Sequence, residues 1–478
     1  MIRIYLDWGA VSTLKEEHEK VFDFIKINKE RFLFPYTPAH FNDLLKSSDN
    51  DKVFQDLDNL NYLCEKHHMH WEDDDLKLQD QTPQEYFNKQ SNPNSISVLS
   101  LFEDFFNGKI EESSLLSILI KSIVELTRSY SDEKFNNEES RQALKTIYPE
   151  MMRDYPSEDI VEKLFMFSRR FERERDVYKD YRKSFQQDGV KLNSNAGNWD
   201  TEDVIANIDK HLQTFDPELT FKRYVEMSVR TFKKEALTNY DLFIFSYMIL
   251  DLLGYKQDKL PKKTNSVKNI FNDAEHSFYG AYCDYFISND RNLRKKAAIL
   301  YREFQVPTKV LSSDEFIDSM NEVFFDHKSG SSFINDALDL LTKENIKPEK
   351  PVSNPFYPNT EKVEYHLPKF YFNFFDTAFT YSHLNNRQLF IELKKTEEVS
   401  YRQFYKSELE KLWKNIYMNI MGEEELDISS EHPNKFIEGN ENIVFEWPHQ
   451  NGYFQLKRES PDFEPIFVFA IQLGESKI

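Results

Sequence analysis

Residues 273–317 restrict the fold more than any other stretch of this chain, because helical and strand-like segments alternate there. Residues 285–288 (YFIS) form a short apolar run of the kind that a buried parallel strand needs. Residues 291–304 carry apolar side chains at helical spacing, and residues 308–311 (TKVL) predict a second strand. Strands that alternate with helices indicate a parallel sheet, whose functional edge lies at the carboxyl ends of the strands.

Four aspartates stand where such an edge would form. Asp7 and Asp290 each follow a short apolar run directly, whereas Asp43 and Asp273 lie in predicted helices that flank such runs. The carboxyl ends of parallel strands meet at one edge, so we expect the four side chains to meet there. Asp also favours helix starts, so Asp7 and Asp290 have a plainer interpretation as helix caps.

Carboxylates that meet at one sheet edge repel one another unless a cation or several hydrogen-bond donors compensate for their charge. Hard divalent ions with oxygen ligands, Mg²⁺ or Mn²⁺, suit such a cluster. An ion of this kind orients water, lowers the pKa of that water and neutralises charge on a phosphodiester. We therefore assign Asp7, Asp43, Asp273 and Asp290 as candidate catalytic and metal-binding residues.

The composition narrows the classes of function. At 478 residues the chain is too long for one compact core, so we expect about two to four domains. Its 11 glycines argue against a glycine-loop nucleotide-binding enzyme, and its net charge of −21 means that nucleic acid would need local basic patches. The two cysteines, Cys64 and Cys283, cannot build a disulfide scaffold and indicate a reducing, cytoplasmic setting. We expect no signal peptide and no membrane contact, since no apolar run is long enough for a span.

We expect four segments along the chain. Residues 1–68 and 239–325 carry the alternating pattern and predict two halves of one α/β domain. Residues 69–238 carry amphipathic helical patterns and predict a large all-helical insertion between the halves. Residues 326–478 predict a C-terminal α+β domain, with a helix before residue 421 and strands after residue 440.

Polar residues near the acids are candidates for a supporting role. His40 and His276 each lie three residues from an acid, so they either touch the substrate and tune the acids or bond only to helix neighbours. Asp284 either ends the helix that carries Asp273 or adds another acid to the site.

Other groups suggest a ligand but have a plainer alternative. The histidines near residue 70 suggest zinc, but their spacing matches no zinc motif, so a polar junction is favoured: His67, His68 and His70. Basic and acidic residues interleave over 169–183, which favours a salt-bridged helix face over a nucleic-acid contact. Four cations follow Asp290 and either hold a phosphate backbone or form a solvated helix face: Arg291, Arg294, Lys295 and Lys296.

Four local motifs resemble those of the PIN-domain nucleases, metal-dependent enzymes that cut mostly RNA. The stretch IYLDWGAVSTL is similar to the family's first strand, which ends in an acid, here Asp7. YTPAHFNDL is similar to the second motif, in which Asp43 is the helix acid. DAEHSFYGAYCDYFISND is similar to the third and fourth motifs, with Asp273 and Asp290 as the acids, and TKVLSSDEFI resembles the last strand and helix.

The resemblance covers about residues 1–65 and 240–320. It implies a three-layer α/β/α domain with a central parallel sheet, in which the four aspartates bind the metal and activate the attacking water. Ser288 and Asn289 match the family's Thr/Ser-x-Asp before the last acid. Many members carry a small polar residue beside the first acid, and Ser12 is the candidate to supply that group here. Small members have no insertion between the second and third acids, so the predicted insertion departs from the pattern.

On this basis we expect a Mg²⁺- or Mn²⁺-dependent endonuclease that prefers RNA to DNA. By analogy its role would be that of a bacterial toxin or an anti-phage defence effector. The insertion or the C-terminal domain would then bind a regulatory protein or a second copy of the chain. Two alternatives stay open: a catalytically silent scaffold that binds RNA or protein, and a structure-specific DNA nuclease.

Overall fold

The structure is a computed structural model. It describes residues 1–14, 20–47, 49–90, 174–185, 192, 199, 202–232, 236–260, 267–324, 352–353, 361–383, 388–395, 403–421, 431–438, 443–449, 452–458 and 464–472. Within these ranges no helix is both long enough and apolar enough to cross a membrane.

Helices and strands alternate in the first part of the chain, and strands dominate the last part. The helices are α1 Trp8–Thr13, α2 Lys20–Asn28, α3 Pro38–Leu44, α4 Asn50–Cys64, α5 Pro83–Gln90, α6 Arg175–Phe185, α7 Val204–Leu212, α8 Phe221–Phe232, α9 Asn239–Leu253, α10 Val267–Gly280, α11 Arg291–Glu303, α12 Ser313–Val323, α13 Lys406–Met421 and α14 Glu431–Glu438. The strands are β1 Ile2–Leu6, β2 Phe32–Leu33, β3 His67–Glu72, β4 Asp75–Asp80, β5 Tyr285–Ile287, β6 Lys309–Leu311, β7 Val352–Ser353, β8 Glu361–Tyr371, β9 Phe375–His383, β10 Gln388–Lys394, β11 Ile443–His449, β12 Gly452–Arg458 and β13 Ile466–Gln472.

A parallel sheet in the order β2-β1-β5-β6 joins the two ends of the predicted α/β region. Ile4 pairs with Tyr285 and Leu6 pairs with Ile287, so strands far apart in sequence lie side by side. The prediction of a mixed α/β fold with a parallel sheet is confirmed. All four strands end at the same edge, which places the residues after β1 and β5 next to each other.

Helices cover both faces of this sheet, because successive side chains of a strand point to opposite faces. Ile4 and Ile287 belong to one apolar core, together with residues of α1, α2, α4 and α12. Tyr5 and Phe286 belong to a second core, together with residues of α9, α10 and α11. Both faces are buried, which explains why the strands read as continuous apolar runs.

The prediction that residues 69–238 are all helical is wrong at the start of that segment. Strands β3 and β4 form an antiparallel hairpin, in which Trp71 pairs with Leu76. Asp73 and Asp74 form its turn with φ of 52° and 58°, a left-handed conformation that Asp tolerates better than most residues. Helices α5 to α8 follow, whereas the predicted helical patterns at 98–106 and 115–130 lie outside the described residues.

Local signals in the sequence mark two helix ends. Gly254 ends α9 with φ of 92°, and Ser312 with Glu315 forms the expected capping box of α12. Residues 33–36 (LFPY) predict a second strand, but the strand that forms is Phe32–Leu33, because Pro35 has no N–H to offer a neighbouring strand. Helix α10 ends at Gly280, earlier than expected, so the helix that carries Asp273 does not reach Asp284.

The C-terminal part has a seven-stranded sheet in the order β11-β12-β13-β10-β9-β8-β7, in which neighbouring strands run antiparallel. Side chains of α13 and α14 share its apolar core. This confirms the expected α+β character, while the helix predicted near 333–343 lies outside the described residues. The C-terminal part contacts the amino-terminal edge of the parallel sheet through an ion pair of 2.7 Å between Arg3 and Glu408.

Candidate acidic site at the carboxyl edge of the parallel sheet

Asp7 lies directly after β1 and caps α1. Its Oδ1 accepts a hydrogen bond of 2.7 Å from the backbone N–H of Ala10, and its Oδ2 accepts one of 2.5 Å from the Ser288 hydroxyl. The residue is 5% exposed. Burial raises the pKa of Asp7, the two hydrogen bonds offset part of that rise, and the negative charge of Asp290 adds to it.

Ser288 joins the acids that follow β1 and β5. While its hydroxyl donates to Asp7, it accepts a hydrogen bond of 3.0 Å from the backbone N–H of Asp290. The exposed Asp290 carboxylate accepts from the N–H groups of Asn292 (2.6 Å) and Leu293 (3.0 Å), so Asp290 is also the cap of α11. The cap interpretation and the site interpretation therefore apply to the same side chain.

The polar group beside Asp7 is Ser288, and the expectation for Ser12 is wrong in this respect. The Ser12 hydroxyl donates to the carbonyl of Gly9 at 3.2 Å, within its own helix. Asn289 lies exposed next to Asp290, and its side-chain oxygen accepts from the N–H of Ser313 at 3.3 Å.

Asp43 lies on α3 and faces α10. Its Oδ2 accepts from the Asn272 amide at 2.7 Å and from the His276 ring at 3.0 Å, and its Oδ1 pairs with Lys46. Burial raises the pKa of Asp43, but the hydrogen bond from His276 and the Lys46 ammonium outweigh it and lower that pKa below its ordinary value. Asp43 is therefore an ionised carboxylate with its orientation set by two donors on α10.

Asp273 lies on α10 among other acids. Burial raises the pKa of Asp273 well above its ordinary value, and the negative charges of Asp258, Asp43 and Asp290 raise it further. The ammonium of Lys296 lowers that pKa only in part. These influences connect the four predicted aspartates, because Asp290 also acts on Asp7. Acids from distant segments of the chain therefore act on one another at this edge.

Sequence reasoning missed two residues of this cluster, Asp258 and Asp251. Asp258 follows α9, and burial together with the charges of Asp251 and Asp290 raises its pKa against the opposing effect of Lys296. Asp251 is fully buried in α9 and accepts from Tyr178 (2.8 Å) and Lys296 (3.1 Å). An acid inside the apolar stretch 242–253 was a signal for a buried cation, whereas Asp258 sits in a polar loop that carries no such signal.

Lys296 is not on a solvated helix face, so the expectation that it holds phosphate is wrong. Its side chain is fully buried, and its ammonium lies 3.1 Å from Asp251 and 3.5 Å from Asp258. Burial lowers the pKa of Lys296, but the charges of Asp251 and Asp258 outweigh burial and raise it, so the residue stays a cation. Its role is to offset part of the negative charge of the cluster.

The other cations of this stretch lie on the first turns of α11. Arg294 forms an ion pair of 2.7 Å with Glu315, whereas Arg291 is exposed and Lys295 lies one turn further along. Burial and the charges of Lys295 and Arg291 lower the pKa of Lys256, so three basic side chains converge beside Asp290.

Asp284 lies at the opposite edge of the sheet, so it is not an additional acid of this site. It directly precedes β5, and the strands run parallel, which places it at their amino-terminal ends. Its carboxylate accepts from the backbone N–H of Arg3 at 2.7 Å and pairs with Lys395 at 2.7 Å. The expectation failed because α10 ends four residues earlier.

The histidines make specific hydrogen bonds. His40 donates from Nε2 to the carbonyl of Leu6 at 2.8 Å, and burial lowers the pKa of His40 to about 3. His276 contacts Asp43, as described above. His67 forms a hydrogen bond of 2.8 Å with the Ser407 hydroxyl, and this bond joins β3 to α13. The rings of His68 and His70 stack on each other within β3.

Hard oxygen donors and a surplus of negative charge suit a divalent cation, but the spacing does not provide a closed set of ligands. Among the residues that the structure describes, no three side chains of His, Cys, Asp or Glu stand close enough to hold one ion. Asp7, Asp43 and Asp290 are also engaged by protein donors. Asp273 and Asp290 would hold an ion only after their side chains reorient.

Comparison of this chain with protein-family models, with curated proteins and with solved structures finds no match.

Proposed function

We propose that this chain is a PIN-like, divalent-metal-dependent endonuclease that hydrolyses phosphodiester bonds, with RNA as the favoured substrate. One observation carries the proposal: carboxylates from distant segments lie close enough at the carboxyl edge of a parallel sheet for Asp290 to raise the pKa of both Asp7 and Asp273. Such an arrangement costs folding stability, and acids of this kind concentrate where a cation or a substrate is bound. The order β2-β1-β5-β6 with helices on both faces is compatible with a PIN-like three-layer domain.

The residues of the acidic site would have two roles, binding the ion and fixing the position of neighbouring groups. Asp273, Asp290 and Asp43 would hold the ion, Mg²⁺ or Mn²⁺, and Asp7 would keep Ser288 and the start of α11 in place through its hydrogen bonds. A bound ion supplies a water of lowered pKa and neutralises charge on the phosphodiester. Burial and the neighbouring acids raise the pKa of Asp273, so a bound cation would relieve the cost of ionising this carboxylate.

Three cations beside the acids suit the phosphate backbone of the substrate. Arg291 and Lys295 are four residues apart on α11, and both act on the ammonium of Lys256. Cations that crowd together are relieved by an anion, and a phosphate would bind next to Asp290. A local patch of this kind meets the requirement that the net charge of −21 imposes.

A catalytically silent scaffold that binds RNA or protein is the second candidate. It is favoured by the finding that no three ligating side chains within the described ranges are close enough for one ion. A third candidate, a structure-specific DNA nuclease, uses the same acids and differs only in substrate. By analogy with the family we further propose a cytoplasmic toxin or defence effector, whose insertion or C-terminal part binds a regulatory protein or a second copy of the chain.

Cleavage assays with Mn²⁺ or Mg²⁺ on single-stranded RNA, structured RNA, duplex DNA and flap DNA test the proposal. We expect RNA cleavage that EDTA abolishes and that falls at least about 100-fold in Asp7→Asn and Asp290→Asn. The matched control is Asp58→Asn, since Asp58 is exposed on α4, outside the acidic cluster.

Three outcomes separate the candidates. Full activity in both site variants would overturn the assignment of the site. Cleavage of flap or duplex DNA alone would select the DNA nuclease. Absence of cleavage on every substrate, with RNA binding retained, would select the silent scaffold.

A further inference from the structure

His276 lies fully inside the molecule, between an acid of the proposed site and a buried tyrosine. It is 1% exposed on α10. Its Nε2 lies 3.0 Å from Asp43 Oδ2, and its Nδ1 lies 2.9 Å from the Tyr5 hydroxyl. Tyr5 in turn contacts the Thr37 hydroxyl at 2.8 Å. The ring therefore has one polar partner on each nitrogen.

The direction of the hydrogen bond between His40 and Leu6 is set by its carbonyl acceptor. A carbonyl oxygen only accepts, so His40 Nε2 carries the proton that it donates to Leu6. The buried His40 ring is neutral, so its Nδ1 is an acceptor and takes the backbone N–H of Thr37 at 3.1 Å. This holds Thr37 in place next to Tyr5.

The directions of the hydrogen bonds at His276 follow from its contact with Asp43. The ionised Asp43 carboxylate only accepts, so Nε2 of His276 carries a proton. In the Nε2–H tautomer Nδ1 is an acceptor, and the Tyr5 hydroxyl donates to it. The Tyr5 oxygen accepts from Thr37 at the same time. Every polar atom of this chain of bonds has a partner of the correct type.

The two donors on α10 leave one side of Asp43 available. Asn272 and His276 are four residues apart on α10, and both donate to Oδ2. Oδ1 pairs instead with the ammonium of Lys46, whose side chain is 36% exposed. A cation that approaches from the acid cluster can replace this mobile ammonium without breaking a buried hydrogen bond.

We propose that His276 is a positioning residue of the acidic site: Tyr5 holds its ring in the Nε2–H tautomer, and this N–H orients Asp43 so that Oδ1 faces the ligand. Partners of this kind orient metal-binding carboxylates and set the tautomer of the donor ring. The effect on catalysis rests on the proposed function, whereas the tautomer and the contact with Asp43 do not.

The activity test compares His276→Leu with His276→Gln. The glutamine amide nitrogen reaches about the position of Nε2 and restores a donor to Asp43, whereas leucine fills the space without one. We expect kcat for RNA cleavage to fall about 10–100-fold in His276→Leu and to return to within about threefold of wild type in His276→Gln. KM stays within about threefold in both variants, and thermal melting of each variant monitors folding. A glutamine variant no better than the leucine variant would refute the positioning role.

The second test needs no activity. In protein labelled with ¹⁵N-histidine, we expect the His276 signals at pH 8 to report a protonated Nε2 and an unprotonated Nδ1, with assignment from the His276→Gln spectrum. Tyr5→Phe and Asp43→Leu should each shift both signals, since each removes one partner of the ring. A protonated Nδ1, or signals unmoved in both variants, would overturn the proposal. Intact tautomer signals without any cleavage would instead count against the nuclease function alone.

Discussion

The two edges of the parallel sheet both carry buried charges, but they balance these charges in opposite ways. At the amino-terminal edge each acid has its own cation. Arg3 pairs with Glu408 at 2.7 Å, and Lys395 pairs with Asp284 at 2.7 Å. Burial raises the pKa of Glu408, but the charge of Arg3 outweighs burial and lowers that pKa to about 2.

At the carboxyl edge the acids that act on Asp273 outnumber the cations that act on it. Asp273 meets the charges of Asp258, Asp43 and Asp290, and Lys296 offsets them only in part, so its pKa is raised well above the ordinary range. Lys296 also forms an ion pair with Asp251, and at 3.1 Å this pair is shorter than the 3.5 Å pair between Lys296 and Asp258. Two buried carboxylates thus have their pKa shifted in opposite directions: that of Glu408 is lowered and that of Asp273 is raised.

The contrast separates a structural joint from a candidate site. Pairs that are matched and buried become costly to break, which suits the junction between the C-terminal part and the sheet. A surplus of like charge lowers the stability of the folded protein until a ligand that neutralises it binds. Such a surplus suits a binding or catalytic edge. Substitutions of acid to amide should therefore have opposite effects at the two edges.

The largest expected effect belongs to Glu408→Gln. Removing this charge leaves Arg3 buried without its carboxylate, and we expect the free energy of unfolding to fall by about 3–5 kcal/mol. Urea unfolding followed by circular dichroism measures the change. Glu410→Gln is the matched control, since Glu410 is exposed on the same helix. Equal stability of the two variants would show that the joint does not depend on this ion pair.

The second effect is the loss of this ion pair in acid. The folded-state pKa of Glu408, about 2, lies below its ordinary value of 4.5. Its contribution is therefore fully present above pH 4.5 and is lost as the pH falls toward 2. We expect this group alone to remove about 3 kcal/mol over that range. Unfolding free energies of wild type and Glu408→Gln should converge below pH 3, and parallel curves at all pH values would contradict the assignment.

The smallest effect, with the opposite sign, is expected for Asp273→Asn. The folded-state pKa of Asp273 is raised, so its unfavourable contribution grows as the pH rises from 3.8 toward that raised value. The amide has neither a charge to bury nor a proton to take up. We expect unfolding at pH 8 to require about 0.5–2 kcal/mol more free energy, while RNA cleavage is lost. A destabilised variant would mean that Asp273 is compensated after all and that the two edges do not differ in kind.

The sequence predicted the elements whose signals are local. An apolar run with a following acid located the ends of β1 and β5, and a capping box and a glycine located helix ends. The hairpin β3–β4 was missed because its alternating His, Met and Trp residues read as a polar junction. The helix before β5 was extended too far because residues 281–283 (AYC) continue its apolar character after Gly280, and Asp284 was misplaced with it.

The sequence by itself determined where each acid lies along its strand or helix, because periodicity and capping depend on neighbours within a few residues. Only the tertiary structure decided which acids share an environment. Asp258 and Lys296 come together through the packing of α9 against α11, and Ser288 reaches Asp7 because β1 and β5 pair. Charges act through space over distances that no sequence spacing records, so the opposite character of the two edges emerges only when the chain has folded.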